Sequence, residues 1–125
     1  MANASQTNAI FALLALGPGD AVYATSADKN SSGILARYPA VGQSPTFSLS
    51  SQLVGLPLVD AMGTTYVDAV DMPTNGGSFH AVDAKGVEVW SVTGLLGSTI
   101  ATLADGTMLV TTPKQDALTA LKPAP

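Results

Sequence analysis

The sequence predicts an all-β protein of three consecutive four-stranded antiparallel units, the last of them incomplete. Apolar and polar residues alternate around short glycine-containing turns, which is the period-two signal of paired strands. The chain also matches itself at a spacing close to 43 residues. No window of about 11–18 residues carries its apolar side chains at helical spacing.

The first element of each unit is an apolar run ending at a glycine: Ala12–Gly19, Leu56–Gly63 and Thr99–Gly106, with the glycines 44 and 43 residues apart. A second run follows each glycine, at Ala21–Thr25, Thr64–Val70 and Met108–Thr112. Third runs lie at Ile34–Tyr38, Ser78–Val82 and Ala117–Leu121, and Gly33–Gly42 matches Gly77–Gly86. Fourth runs occupy Thr46–Leu49 and Val87–Val92, where Phe47-Ser-Leu49 aligned on Trp90-Ser-Val92 gives Phe47 and Trp90 matching places. The third unit stops at Lys122-Pro-Ala-Pro125 before a fourth run, so eleven strands are expected. Val, Ile, Thr, Tyr and Phe in these runs favour strand over helix. Gly17-Pro-Gly, Asn75-Gly-Gly and Asp105-Gly mark turns too closely spaced for long helices.

Four strands per period of this length is the signature of a propeller blade. Residues 1–125 then form one repeat domain with blades at approximately 8–49, 55–92 and 98–121. The first strand of each blade, nearest the axis, should be buried on both faces, and Ala12–Leu16 is continuously apolar as that requires. A β-sandwich of similar strand content is the alternative, and it would make the glycine spacing accidental.

The hairpin Ser78–Trp90 carries a further likeness. Its Ala81, Asp83, Gly86 and Trp90 resemble the close of a pyrroloquinoline-quinone-type β-propeller repeat, an Ala-x-Asp hairpin with Gly at the turn and Trp near its end. The turn is about one residue shorter than that repeat's usual form. The resemblance implies that Trp90, and Phe47 by correspondence, pack blade on blade. Quinone dehydrogenases of this class use a larger ring with calcium and a cofactor clamp, and no residue here matches those ligands, so no cofactor is implied. Non-enzymatic assembly and scaffold proteins built from such repeats are the nearer analogy.

Composition narrows the function. Only 11% of residues are charged and the net charge is −4, with basic residues spread thinly at Lys29, Arg37, Lys85, Lys114 and Lys122. A nucleic-acid footprint is therefore not expected. The absence of cysteine removes disulfides and thiolate metal sites. The apolar run Ile10–Leu16 is too short to span a bilayer and has no basic leader, so neither a signal peptide nor a membrane segment is expected. The low charge is weakly compatible with an extracytoplasmic setting.

Chemistry must come from few parts. His80, the single histidine, should lie on the strand face opposite Phe79 and Ala81 as a structural residue, and without a Gly-x-Ser-x-Gly elbow no nucleophilic triad is expected. Asp20, Asp83 and Asp105 sit beside tight turns, where a short carboxylate bonds its own backbone. Asp68, Asp71 and Asn75 supply hard oxygens around a loop ending in Gly76-Gly77, a possible calcium site although its spacing matches no established calcium loop. The loops between second and third strands share one rim carrying Asp28, Lys29, Asn30, Asp71, Asn75, Lys114 and Gln115, the candidate binding residues. The leading expectation is a non-enzymatic binding or scaffold module whose rim meets a protein or glycan. The alternative is a metal-dependent propeller hydrolase or lactonase with Asp60 or Asp68 holding a divalent cation. Propellers close with about four to eight blades, so three blades predict self-association, with a homodimer closing a six-bladed ring. The segment Ala2–Asn8 of one subunit would complete the third blade of the other.

Overall fold

The computed structural model describes residues 12–27, 33–42, 45–49, 52–71, 76–95, 97–112 and 117–122. Among them are eleven strands: β1 (Ala12–Leu16), β2 (Val22–Ala27), β3 (Gly33–Tyr38), β4 (Thr46–Leu49), β5 (Gln52–Val59), β6 (Thr65–Asp71), β7 (Gly76–Val82), β8 (Glu88–Thr93), β9 (Ser98–Thr102), β10 (Met108–Thr112) and β11 (Ala117–Leu121). They form three antiparallel sheets, two of four strands in the order β1-β2-β3-β4 and β5-β6-β7-β8 and one of three, β9-β10-β11. A single 3₁₀ turn at Pro18–Asp20 is the only helical element described.

The repeat is visible in the hairpins joining first to second strands. Gly17 N donates to Ala21 O, Asp60 N to Thr64 O and Leu103 N to Thr107 O, so equivalent turns recur every 43 residues. The second sheet's third and fourth strands use the same turn, with Asp83 N on Val87 O and Gly86 N on Asp83 O. Gly63, Gly86 and Gly106 hold its last position at φ near +82° to +83°, the left-handed geometry of a hairpin turn that ends in a glycine bulge. Gly19 does not. The residue equivalent to Gly63 is Asp20, at φ +58°, because the Pro18–Asp20 turn carries positive φ at both Gly19 and Asp20. The glycine alignment is therefore off by one in the first unit, while the backbone repeat is regular.

Strand register extends this correspondence. Thr25 pairs with Leu35, Asp68 with Phe79 and Thr111 with Leu118, so Leu35, Phe79 and Leu118 occupy one position in three sheets. Phe47 pairs with Leu35 and Val92 with Phe79, which makes Val92, not Trp90, the counterpart of Phe47. The register shift between Ala81 and Val82 adds one residue to β8, so Val92 lies 13 residues after Phe79 where Phe47 lies 12 after Leu35.

Packing follows the register. Leu35 and Phe47 of the first sheet meet Val67, Ala69 and Val82 of the second. From its other face the second sheet sends Tyr66, Phe79, Ala81 and Trp90 against Met108, Val110 and Leu121 of the third. Val67 and Val110 are equivalent, as are Val82 and Leu121. The same forward face therefore packs on the same backward face at both junctions, and neighbouring first strands β1, β5 and β9 lie side by side.

The ends of the stack depart from the expected burial of first strands. On the backward face of the first sheet Leu14 is 60% and Leu16 80% exposed, and among the described residues no further sheet lies there, although small Ala24 and Ala36 between the strands are buried. On the forward face of the third sheet Leu118 is 60% exposed.

Gly97 marks a tight approach at the start of β9, where a Cβ would strike the carbonyl oxygen of Thr111 and touch Phe79. Backbone cannot yield as a flexible side chain would. Gly97→Ala should lower stability by about 1–3 kcal/mol, read as an earlier urea midpoint with an unchanged slope.

Candidate functional site

Two groups of polar side chains lie at the junction of the first and second sheets. At one end Tyr23, on β2, reaches across. Its hydroxyl donates to Gly63 O at 3.4 Å and accepts from Arg37 Nε at 3.1 Å, with the guanidinium 6.0 Å from the ring centre. Gly63 admits this contact because it has no Cβ, which would sit 3.0 Å from that hydroxyl. Tyr23, Arg37, Phe47, Thr65, Val82 and Asp83 line a shallow crevice there.

The other end holds a hydrogen-bonded chain. Ser78 Oγ lies 2.8 Å from His80 Nε2, and His80 Nδ1 lies 2.8 Å from Glu88 Oε2. Ser78 and His80 are two residues apart on β7, so the pleat puts both on the backward face. Glu88 opens β8 opposite Val82, beside a register shift that brings it diagonal to His80. The Glu88 carboxylate can only accept, so Nδ1 carries a proton, and it is the one proton of the ring when the ring is neutral. Nε2 is then the acceptor and the Ser78 hydroxyl the donor. The His80 side chain is 7% exposed and that of Glu88 35%. Phe47 covers the ring, with centroids 6.0 Å apart. This serine–histidine–carboxylate order is the arrangement that activates a nucleophile. With a Gly-x-Ser-x-Gly elbow as the pattern sought in the sequence, neither Ser78 nor Glu88 was paired with His80. The usable signal was Ser-x-His on a strand with an acid across the following hairpin.

His80 does lie opposite Phe79 and Ala81, on the face toward the first sheet. Among the turn carboxylates, Asp83 Oδ1 accepts from Lys85 N at 2.8 Å and Val87 N at 3.0 Å, and Asp105 Oδ1 accepts from Thr107 N at 3.0 Å. Asp60, weighed as a metal ligand, is the same kind of residue. Its Oδ1 accepts from Met62 N and Thr64 N, both at 2.9 Å, and its Oδ2 from Tyr66 Oη at 3.1 Å. Both oxygens hold the hairpin. Asp68 is 2% exposed on the forward face of β6, opposite Phe79. Asp71 ends β6 in register with Gly76, but its side chain lies outside the described residues, as do Asp28, Lys29, Asn30, Asn75, Lys114 and Gln115. Among the described residues no three His, Cys, Asp or Glu side chains are grouped to hold a metal ion. Phe47 packs at the first junction, and Trp90 at the second, 6.3 Å from Tyr66.

No protein-family model and no curated protein matches the chain.

Burial, reinforced by the hydrogen bond and charge of Asp60, pushes the Tyr66 phenol up to about 12 from 10.0. A raised folded value favours the protonated phenol, so its stabilising contribution is complete below pH 10 and is lost as pH rises toward 12. The melting temperature should fall across that window, and Tyr66→Phe should flatten the fall. Phenolate absorbance should show one tyrosine ionising last; titration of all tyrosines together near their ordinary value would contradict this.

Proposed function

We propose that the chain is a scaffold module of β-propeller type, whose three blades close a six-bladed ring with a second copy. One observation carries the reading. Leu35, Phe79 and Leu118 are equivalent, and their exposures are 3%, 0% and 60%. The first two are covered by the next sheet, and among the described residues the third has no next sheet.

The opposite end of the stack supports the same partner. Leu14 is equivalent to Pro57, which the preceding sheet covers completely, yet Leu14 is 60% exposed. A second copy placed head to tail would set the forward face of the third sheet on the backward face of the first, repeating the two junctions already built into the chain. Two such contacts about a twofold axis close the ring, with six blades inside the range of about four to eight. In that ring the loops between second and third strands form a rim, which would meet a protein or glycan through Asp28, Lys29, Asn30, Asp71, Asn75, Lys114 and Gln115. Rigid strands with variable loops suit such a role.

Sedimentation equilibrium at micromolar concentration tests the closure. The expected species has twice the chain mass of 12.6 kDa. Leu118→Asp should weaken association by at least ~30-fold, since it sets a charge at the centre of an apolar contact. A folded, soluble monomer of the unaltered chain, or a Leu118→Asp variant that dimerises equally well, would contradict the proposal.

A further inference from the structure

We infer that Ser78 is an activated nucleophile that accepts acyl or phosphonyl groups from uncharged esters, a reactive site that goes beyond the scaffold reading and does not depend on ring closure. Glu88 fixes the His80 proton on Nδ1 at 2.8 Å, which leaves Nε2 as a base 2.8 Å from Ser78 Oγ. The carboxylate stabilises the imidazolium that forms when Nε2 takes a proton.

Access is the second condition. Phe47 lies over the buried His80 ring, whose Nε2 edge faces Ser78, and Ser78 is half-buried at the strand end. Its cross-strand neighbour Thr93, and Ser91 opposite His80, are both exposed on β8. An ester can therefore approach Ser78 over an open, uncharged strip without displacing core residues. In the reaction Oγ bonds to the carbonyl carbon, its proton passes to His80 Nε2, and the ester C–O bond breaks. The leaving oxygen then takes the proton from Nε2. Water, deprotonated by the same nitrogen, later releases the acyl group and restores the Ser78 hydroxyl.

A fluorophosphonate ester tests the site without a known substrate. The Oγ–P bond forms, the P–F bond breaks with loss of fluoride, and the Oγ proton goes to His80. Peptide mass analysis of the intact chain should place a single adduct on Ser78, absent from Ser78→Ala. Glu88→Gln, at a half-exposed position, should slow labelling at least ~10-fold, and His80→Gln at least ~100-fold, with circular dichroism unchanged. If His80→Gln unfolds, Glu88→Gln alone decides. No Ser78 adduct on the folded chain, or one forming equally fast in Glu88→Gln, would overturn the inference.

Discussion

The junction between successive sheets is the contact on which the rest of the molecule depends. Phe79, fully buried, projects from the second sheet into Met108 and Val110 of the third, as Leu35 projects from the first onto Val67 of the second. Full burial of one such side chain is worth about 1.5–3 kcal/mol. No single sheet here has a core of its own. Each four-stranded unit has two apolar faces, and only stacking removes both from water, as in other repeat architectures. The middle sheet satisfies both faces within the chain, and the outer two satisfy one each.

The turns serve that stacking. A hairpin ending in a left-handed glycine fixes the register of its strands, and a slip of one residue would send Phe79 to the wrong face. Asp60 and Asp83 reinforce two of these turns by accepting backbone N–H groups two and four residues on. The turn at Asp83–Gly86 also lies against the first sheet, where a Cβ on Gly86 would sit 3.0 Å from Thr46 O. Local turn chemistry and the sheet junction thus constrain the same residues. The Ser78–His80–Glu88 chain is a by-product of this geometry: one strand places serine and histidine on a common face, and the turn returns glutamate beside them.

Strand content and the repeat were legible in the sequence, because alternation and turn glycines are local signals. The exact frame was not. Pro18-Gly19-Asp20 looks like a glycine turn, yet its positive φ extends to Asp20, and aligning on Gly19 shifts the first unit by one residue. Trp90 and Phe47 look alike as aromatic residues before Ser, but hydrogen-bond register separates them. Asp60 entered as a metal ligand of the alternative hydrolase because its partners, backbone groups and Tyr66, cannot be read from composition. His80 was legible as a hydrogen-bonded structural residue, but its partner Glu88 was not, because that residue comes from the neighbouring strand. The rim residues, apart from the backbone of Asp71, lie outside the described residues, and their candidacy still rests on sequence alone.

The central claim is that equivalent residues form equivalent contacts at the two junctions, and a pair of double-mutant cycles on urea-unfolding free energies tests it most directly. One cycle combines Leu35→Ala with Val67→Ala, the other Phe79→Leu with Val110→Ala. Each pair should show a coupling of about 0.5–3 kcal/mol of the same sign. Strict additivity in either cycle would mean that those side chains do not meet, and the stacked-repeat account would be wrong.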